Sequence, residues 1–269
     1  MNENKKKFGL ALGSGGLRGL FHLGVLRVLK ENDITVDYIA GSSIGSLVGA
    51  MIASGQTSNE IFEKITNSRS EILLSFLDPV IFKGGILKGR KLRKLVEKFL
   101  GVSTFDELKI PLGVVATDLV TGKCITISEG DLVEAIMASM AIPGVFKPVH
   151  INEMILVDGG VSNPVPDDTV KEMGADIVLA SNLDFGLHRF EDTKNYKLSI
   201  NVGLRSLDLY RHYLAEFSTR SADIILNPQI DDNSLIGITS LLSKEKSDKL
   251  ISMGEKYMIA EIDNLKAIL

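Results

Sequence analysis

The sequence predicts an α/β fold with a mostly parallel sheet. Short apolar runs alternate with helix-length amphipathic segments along the 269-residue chain. Two strand-to-helix junctions are rich in glycine: Gly13-Ser14-Gly15-Gly16-Leu17-Arg18-Gly19 and Gly41-Ser42-Ser43-Ile44-Gly45. A later apolar run, Ile155-Leu156-Val157, ends directly on Asp158-Gly159-Gly160. The composition is 45% hydrophobic, enough to bury a large core.

Residues 8–12 read as the first buried strand. The first glycine-rich loop follows, then a helix over 20–30 with Leu20, Leu23, Val25, Leu26, Val28 and Leu29 on a broad apolar face. Such a loop offers backbone N–H groups to an anion and lets it approach closely. A dinucleotide fingerprint needs G-x-G-x-x-G; the spacing here is Gly13-x-Gly15-x-x-x-Gly19, and no Walker-type Gly-Lys-Ser/Thr is present. The other use of the loop is an oxyanion hole, which the next junction favours. Residues 36–40 form an apolar run, 41–45 turn abruptly, and 46–53 suit a small-residue helix. Strand, G-x-S-x-G, helix is the pattern of a nucleophile elbow. Gly41 and Gly45 permit a turn too tight for flanking Cβ atoms. Ser43 then stands at its apex, at a helix N-terminus that favours developing negative charge.

Residues 58–68 read as a helix capped by Ser58. The run 72–82 is strongly apolar, is broken by Pro79 and leads to Gly84-Gly85; it reads as core packing, with a lid or lipid-facing surface as the alternative. Residues 88–100 form an amphipathic helix and 110–117 a buried strand. Gly122-Lys123 turns into a strand over 124–128, where Cys124 is expected to pack. Asp131 caps a helix over 132–140, which ends in the Pro-rich loop 138–149. Asp158 closes the strand 155–157, where ligands gather at carboxyl ends of strands; an ordinary Asp-Gly turn is the plainer reading. A helix over 167–173, a strand over 177–180, a polar stretch over 183–197, a long helix over 196–220, a late strand over 223–226 and a closing helix over 247–269 complete the pattern.

The net charge is −4, which argues against nucleic acid as a partner. A single cysteine, Cys124, excludes an internal disulfide and a cysteine-rich metal site. His22, His150, His188 and His212 lie far apart with no metal-ligand spacing, so no metal is expected. The apolar run behind Lys5-Lys6-Lys7 is too short for a signal peptide. Residues 38–59 are uncharged, but four glycines and five serines make them a strand plus a helix rather than a membrane span. A cytoplasmic protein is expected.

Three separated blocks resemble the patatin-like phospholipase family. They are residues 10–19 with His22-Leu23-Gly24-Val25-Leu26, then Gly41-Ser42-Ser43-Ile44-Gly45, then Asp158-Gly159-Gly160. The loop 138–149 is also similar to the family's. The resemblance spans roughly residues 8–180. Ser14 departs from it, standing where the family's first glycine usually is, while Gly16 and Gly19 match. The resemblance implies a single three-layer α/β/α domain over 1–269, with residues 196–269 supplying the C-terminal helices and late strand. It implies a catalytic dyad of Ser43 and Asp158, and an oxyanion hole from the N–H groups of Gly15, Gly16 and Leu17. Gly13, Arg18, Gly19, Gly41, Gly45, Gly159 and Gly160 support the motifs. The resemblance implies a lipid or fatty-acyl ester as substrate, met with peripheral contact at a membrane, and neither a cofactor nor calcium.

Two other readings stay open. A Ser-His-Asp hydrolase would add His188 or His212 to Ser43 and Asp158 in a permitted chain order. A non-enzymatic regulatory or nucleotide-binding protein would keep the fold and lose the chemistry.

Overall fold

The computed structural model describes residues 6–75, 87–185, 199–230 and 243–269. Its element order is β1 (Phe8–Leu12), α1 (Leu20–Glu31), β2 (Tyr38–Ser42), α2 (Ile44–Ala53), α3 (Ser58–Asn67), α4 (Arg69–Ser75), α5 (Arg90–Leu100) and β3 (Leu112–Asp118). There follow β4 (Cys124–Ile127), α6 (Leu132–Ser139), β5 (Val149–Ile151), β6 (Met154–Asp158), α7 (Asp167–Glu172), β7 (Ile177–Ser181), α8 (Ser199–Phe217), β8 (Ile224–Leu226) and α9 (Lys244–Ile268). Among the described residues one sheet runs β5-β6-β3-β2-β1-β7-β8, with β4 also on β3. The pairs β3–β2, β2–β1, β1–β7 and β7–β8 are parallel; β4, β5 and β6 pair antiparallel.

The two faces of the sheet carry side chains of different size. Phe8, Leu10, Leu12, Ile39, Ile177 and Leu179 point into a large core with Leu23, Met51, Val96, Ile136 and Met258 from the helices. Their neighbours Ala11, Ala40, Val178 and Ala180 face Val170 and Ala215 on the other side. The period-two alternation of the strands therefore sorts bulk to one face and lets α7 and α8 lie close on the other. On the bulky side α1 and α9 cross in near backbone contact. A Cβ on Gly24 would strike the Ile251 carbonyl, and one on Gly254 the Phe21 carbonyl.

β3 organises the site. Val114 and Val115 pair with both β2 and β4, whereas Ala116 and Thr117 pair with both β4 and β6. Hence β4 takes one edge of β3, and β2 and β6 meet end to end along the other. β2 finishes with Ser42 opposite Val115, and β6 finishes with Asp158 opposite Ala116. The residues that follow β2 and close β6 are thus brought together by adjacent positions of one strand.

Some local expectations change. The cap of α3 is Thr57, not Ser58: its hydroxyl takes the Glu60 N–H, and the Glu60 carboxylate takes the Thr57 N–H. Cys124 is exposed on β4 instead of packed: β4 is an edge strand whose residues alternate exposed and half-buried, and Cys124 falls on the exposed set. The apolar run 72–82 begins inside α4, where Ile72 is buried; its residues 76–82, Gly84, Gly85 and His188 lie outside the described residues. The loop after α6 contains the short strand β5.

Candidate active site

The site lies at the carboxyl ends of β1 and β2. The chain leaves β2 through a sharp turn with Ser43 at φ 53 and ψ −121, a conformation that serine adopts only at a cost. What holds it there is packing. A Cβ on Gly41 would overlap the Gly45 backbone, and one on Gly45 would drive into the Leu12 carbonyl. The elbow thus sits directly against the start of the first glycine-rich loop. Ser139, at the end of α6, accepts the Ser43 N–H at 2.9 Å, and Ser46 donates to the Ser43 carbonyl at 2.6 Å.

Ser43 Oγ donates to Asp158 Oδ2 at 2.6 Å. The other oxygen, Oδ1, accepts the Gly160 N–H at 2.8 Å, and Thr117 Oγ1 donates to the Asp158 carbonyl at 2.9 Å. Both side chains are buried. Burial raises the Asp158 carboxyl above its ordinary range; the positive charge of Arg211, the Ser43 hydroxyl and the Gly160 N–H pull it partly back. A carboxylate so placed takes a proton more readily than a solvated one.

The loop from Gly13 to Gly19 turns through Gly15 at φ 150 and Gly16 at φ 58 into a short 3-10 turn. The leading N–H groups of such a turn have no partner within it. Among the described residues no acceptor in the chain meets the N–H of Gly15, Gly16 or Leu17. Gly19 packs its backbone against Ile44, next to Ser43. Ser14 keeps negative φ, so its departure from the glycine pattern causes no strain. Its hydroxyl donates to Asp184 Oδ2 at 2.6 Å. Arg18 is buried and donates to Asp184 Oδ1, to the Gly15 carbonyl and to the Leu183 carbonyl.

The histidines serve elsewhere. His22 donates from Nε2 to the Gly13 carbonyl at 3.0 Å and meets Ser181 Oγ through Nδ1 at 2.9 Å. Burial lowers it to about 4, so it is a neutral post for the start of the loop. His212 donates from Nδ1 to the Asp184 carbonyl at 2.8 Å, and His150 is exposed on β5. Neither meets Ser43 or Asp158 by a hydrogen bond.

An apolar cavity of about 60 Å³ adjoins the elbow. Ile44, Leu47, Val48 and Met51 line it along one face of α2, with Leu17 and Met140 near the loop and Leu92 and Phe99 from α5. The sequence reading missed Ser139, Thr117, Asp184 and Arg211. Only Ser139 lay in a stretch with a motif; the others carry no local signal. Among the described residues no cluster of three or more His, Cys, Asp or Glu is placed to hold a metal, and no helix is long and apolar enough to cross a membrane.

Known proteins are similar to this chain over about two thirds of its length. An uncharacterized NTE family protein of Mycobacterium tuberculosis is 38% identical over 182 residues, covering 68% of this chain and 50% of that protein. Neuropathy target esterase sws of Drosophila melanogaster is 31% identical over 194 residues, covering 70% of this chain and 13% of that protein. The chain therefore spans about half the length, or less, of these relatives. The crystal structure of VipD from Legionella pneumophila shares the fold at a TM-score of 0.55 and 12% identity, covering 97% of this chain and 67% of VipD. Residues 10–170, more than half of the sequence, match the Patatin family model, described as patatin-like phospholipase, and the chain belongs to that family.

Proposed function

We infer that the protein is a serine acyl hydrolase that cleaves fatty-acyl esters of lipids, and that residues 1–269 act as one hydrolase domain. The observation that carries this reading is the 2.6 Å hydrogen bond from Ser43 Oγ to Asp158 Oδ2, in a strained elbow beside an apolar cavity. Ser43 is the nucleophile and Asp158 the general base. As Ser43 Oγ attacks the ester carbonyl, its proton passes to Asp158 Oδ2. The N–H groups of Gly15, Gly16 and Leu17 take the negative charge that develops on the carbonyl oxygen. Asp158 returns the proton to the leaving alcohol, and an acyl-enzyme remains on Ser43. Water, deprotonated by Asp158, then attacks the acyl carbonyl; the bond to Ser43 Oγ breaks, Asp158 returns the proton to that oxygen, and the fatty acid leaves. The Gly160 N–H on Oδ1 leaves Oδ2 free to face the serine.

The cavity supports an acyl chain as the group held next to Ser43. Its wall is apolar throughout, and it starts at Ile44. Hydrolysis of p-nitrophenyl esters of rising chain length tests the reading. Wild type is expected to turn over, and Ser43→Ala and Asp158→Asn to lose activity while staying folded. An Asp158→Asn variant with full turnover overturns it.

A further inference from the structure

The oxyanion loop is held by a part of the chain that lies beyond the family-matched residues 10–170. Asp184 follows β7, and Arg211 and His212 sit on α8. The buried Asp184 carboxylate gathers Ser14 Oγ at 2.6 Å, Arg18 Nη2 at 2.8 Å, and Arg211 through Nη2 at 2.6 Å and Nε at 3.3 Å. Its backbone is fixed as well, with its N–H on Asn182 Oδ1 at 3.0 Å and its carbonyl on His212. Arg18, so held, places Nε 3.0 Å from the Gly15 carbonyl, which also accepts the Arg18 N–H. In a planar trans peptide the carbonyl of one residue and the N–H of the next point in opposite directions. Pinning the Gly15 oxygen therefore aims the Gly16 N–H the other way.

We propose that Asp184 and Arg211 are positioning residues for hydrolysis: the buried series Arg211–Asp184–Arg18 fixes the Gly15–Gly16 peptide from α8 and so orients an oxyanion donor. The proposal rests on the reading of Ser43, Asp158 and the glycine-rich loop given above. The same two residues bear on the base. Arg211 and Asp184 are the charged groups that act most on the Asp158 carboxyl, and they push it in opposite directions. Its other close partners, the Ser43 hydroxyl and the Gly160 N–H, are neutral.

The test uses the full chain with Asp184→Asn, Arg211→Met and Arg211→Lys. It measures kcat and KM on a short p-nitrophenyl ester across pH, and amide hydrogen exchange at Ser14 and Arg18, the bonded amides of the loop. Asp184→Asn and Arg211→Met are expected to lower kcat roughly 10- to 100-fold with little change in KM, because an oxyanion donor acts in the transition state. Their acid limbs should separate. Arg211→Met removes a positive charge near Asp158 and moves the limb to higher pH. Asp184→Asn removes a negative one and moves it to lower pH. Arg211→Lys keeps the charge and the wild-type limb while losing the two-pronged bond, and it pairs with Asp184→Asn if Arg211→Met does not fold. Exchange at the Ser14 and Arg18 amides, which are bonded to the Pro164 and Gly15 carbonyls, should quicken in every variant that lowers kcat. Limbs that move together, or unchanged exchange at Ser14 and Arg18, overturn the proposal. If Ser43→Ala keeps its activity, the hydrolase reading fails instead, and the exchange result still decides the clamp.

Discussion

Asp158 and Asp184 are each 4% exposed, and the same Arg211 acts on both, yet their carboxyls shift in opposite directions. Burial works to raise each of them. At Asp158 it prevails, because the close partners are one hydroxyl and one N–H, with Arg211 acting only through its field and Asp184 opposing it. At Asp184 the charges of Arg211 and Arg18, with the Arg211 and Ser14 hydrogen bonds, outweigh burial and hold the carboxyl at about 2. Depth alone therefore does not decide what a buried acid can do; the number of cations in direct contact does. The first environment suits proton exchange with a serine. The second makes a permanent anion around which a loop and a helix are tied.

The largest effects should fall on the first environment. Ser43→Ala and Asp158→Asn are each expected to lower kcat/KM by about 10⁴-fold or more in the ester assay. Asp158→Asn should nonetheless match or exceed the wild type in urea midpoint at pH 8. A carboxyl raised by folding contributes stability below its unfolded pKa and loses it as pH rises through its folded value. The neutral amide is spared that loss. A sharply lower midpoint would mean that Asp158 is structural, and the contrast with Asp184 would collapse.

Asp184 should show the reverse dependence. Its folded value of about 2 lies below the ordinary 3.8, so its contribution is present above pH 4 and lost as pH falls from about 4 to 2. The linkage amounts to about 2 kcal/mol. Urea titrations of wild type and Asp184→Asn should differ by that amount at pH 7 and by roughly half of it at pH 3. Parallel curves would show that Arg18 and Arg211 hold Asp184 less firmly than the geometry states.

The two aspartates also differ in how well the sequence announces them. Asp158 sits on a local signature, a strand ending in Asp-Gly-Gly, and Ser43 on another. Both arise from short-range demands of turn geometry, so both were legible, as were β1, α1, β2 and the parallel centre of the sheet. Asp184 is surrounded by Asn, Leu and Phe in a stretch that reads as polar loop, and Arg211 is one of many charges on a long helix. Their meeting depends on where α8 docks, which no periodicity encodes. The antiparallel end of the sheet was hidden for a related reason: β5 is three residues long and follows prolines, so only its pairing with β6 makes it a strand. Ser14 looked like a defect because its partner, Asp184, lies 170 residues away.

The cavity gives a smaller effect on the Asp158 side of the contrast. In its present shape it is small, about 60 Å³. Met51 lies seven residues along α2 from Ile44, about 10 Å by helical rise. Met51→Ala should shift the preference of kcat/KM toward longer p-nitrophenyl esters by about 10-fold, and Met51→Phe toward shorter ones. An unchanged profile in both would place the acyl chain elsewhere and make the cavity plain core.

The smallest effect separates the two environments most finely. Ser14 touches Asp184 and lies beside Gly160, whose N–H binds Asp158. If the glycine-rich loop depends on the anion as a whole, one hydroxyl is dispensable, because two guanidinium groups still meet Asp184. Ser14→Ala should then cost about 1 kcal/mol in urea denaturation at pH 7 and leave kcat within about threefold of wild type. If Ser14 instead acts on the reacting side, kcat should fall by far more than stability does. The ratio of the two losses therefore tells whether this serine belongs with the anchoring carboxylate or with the base.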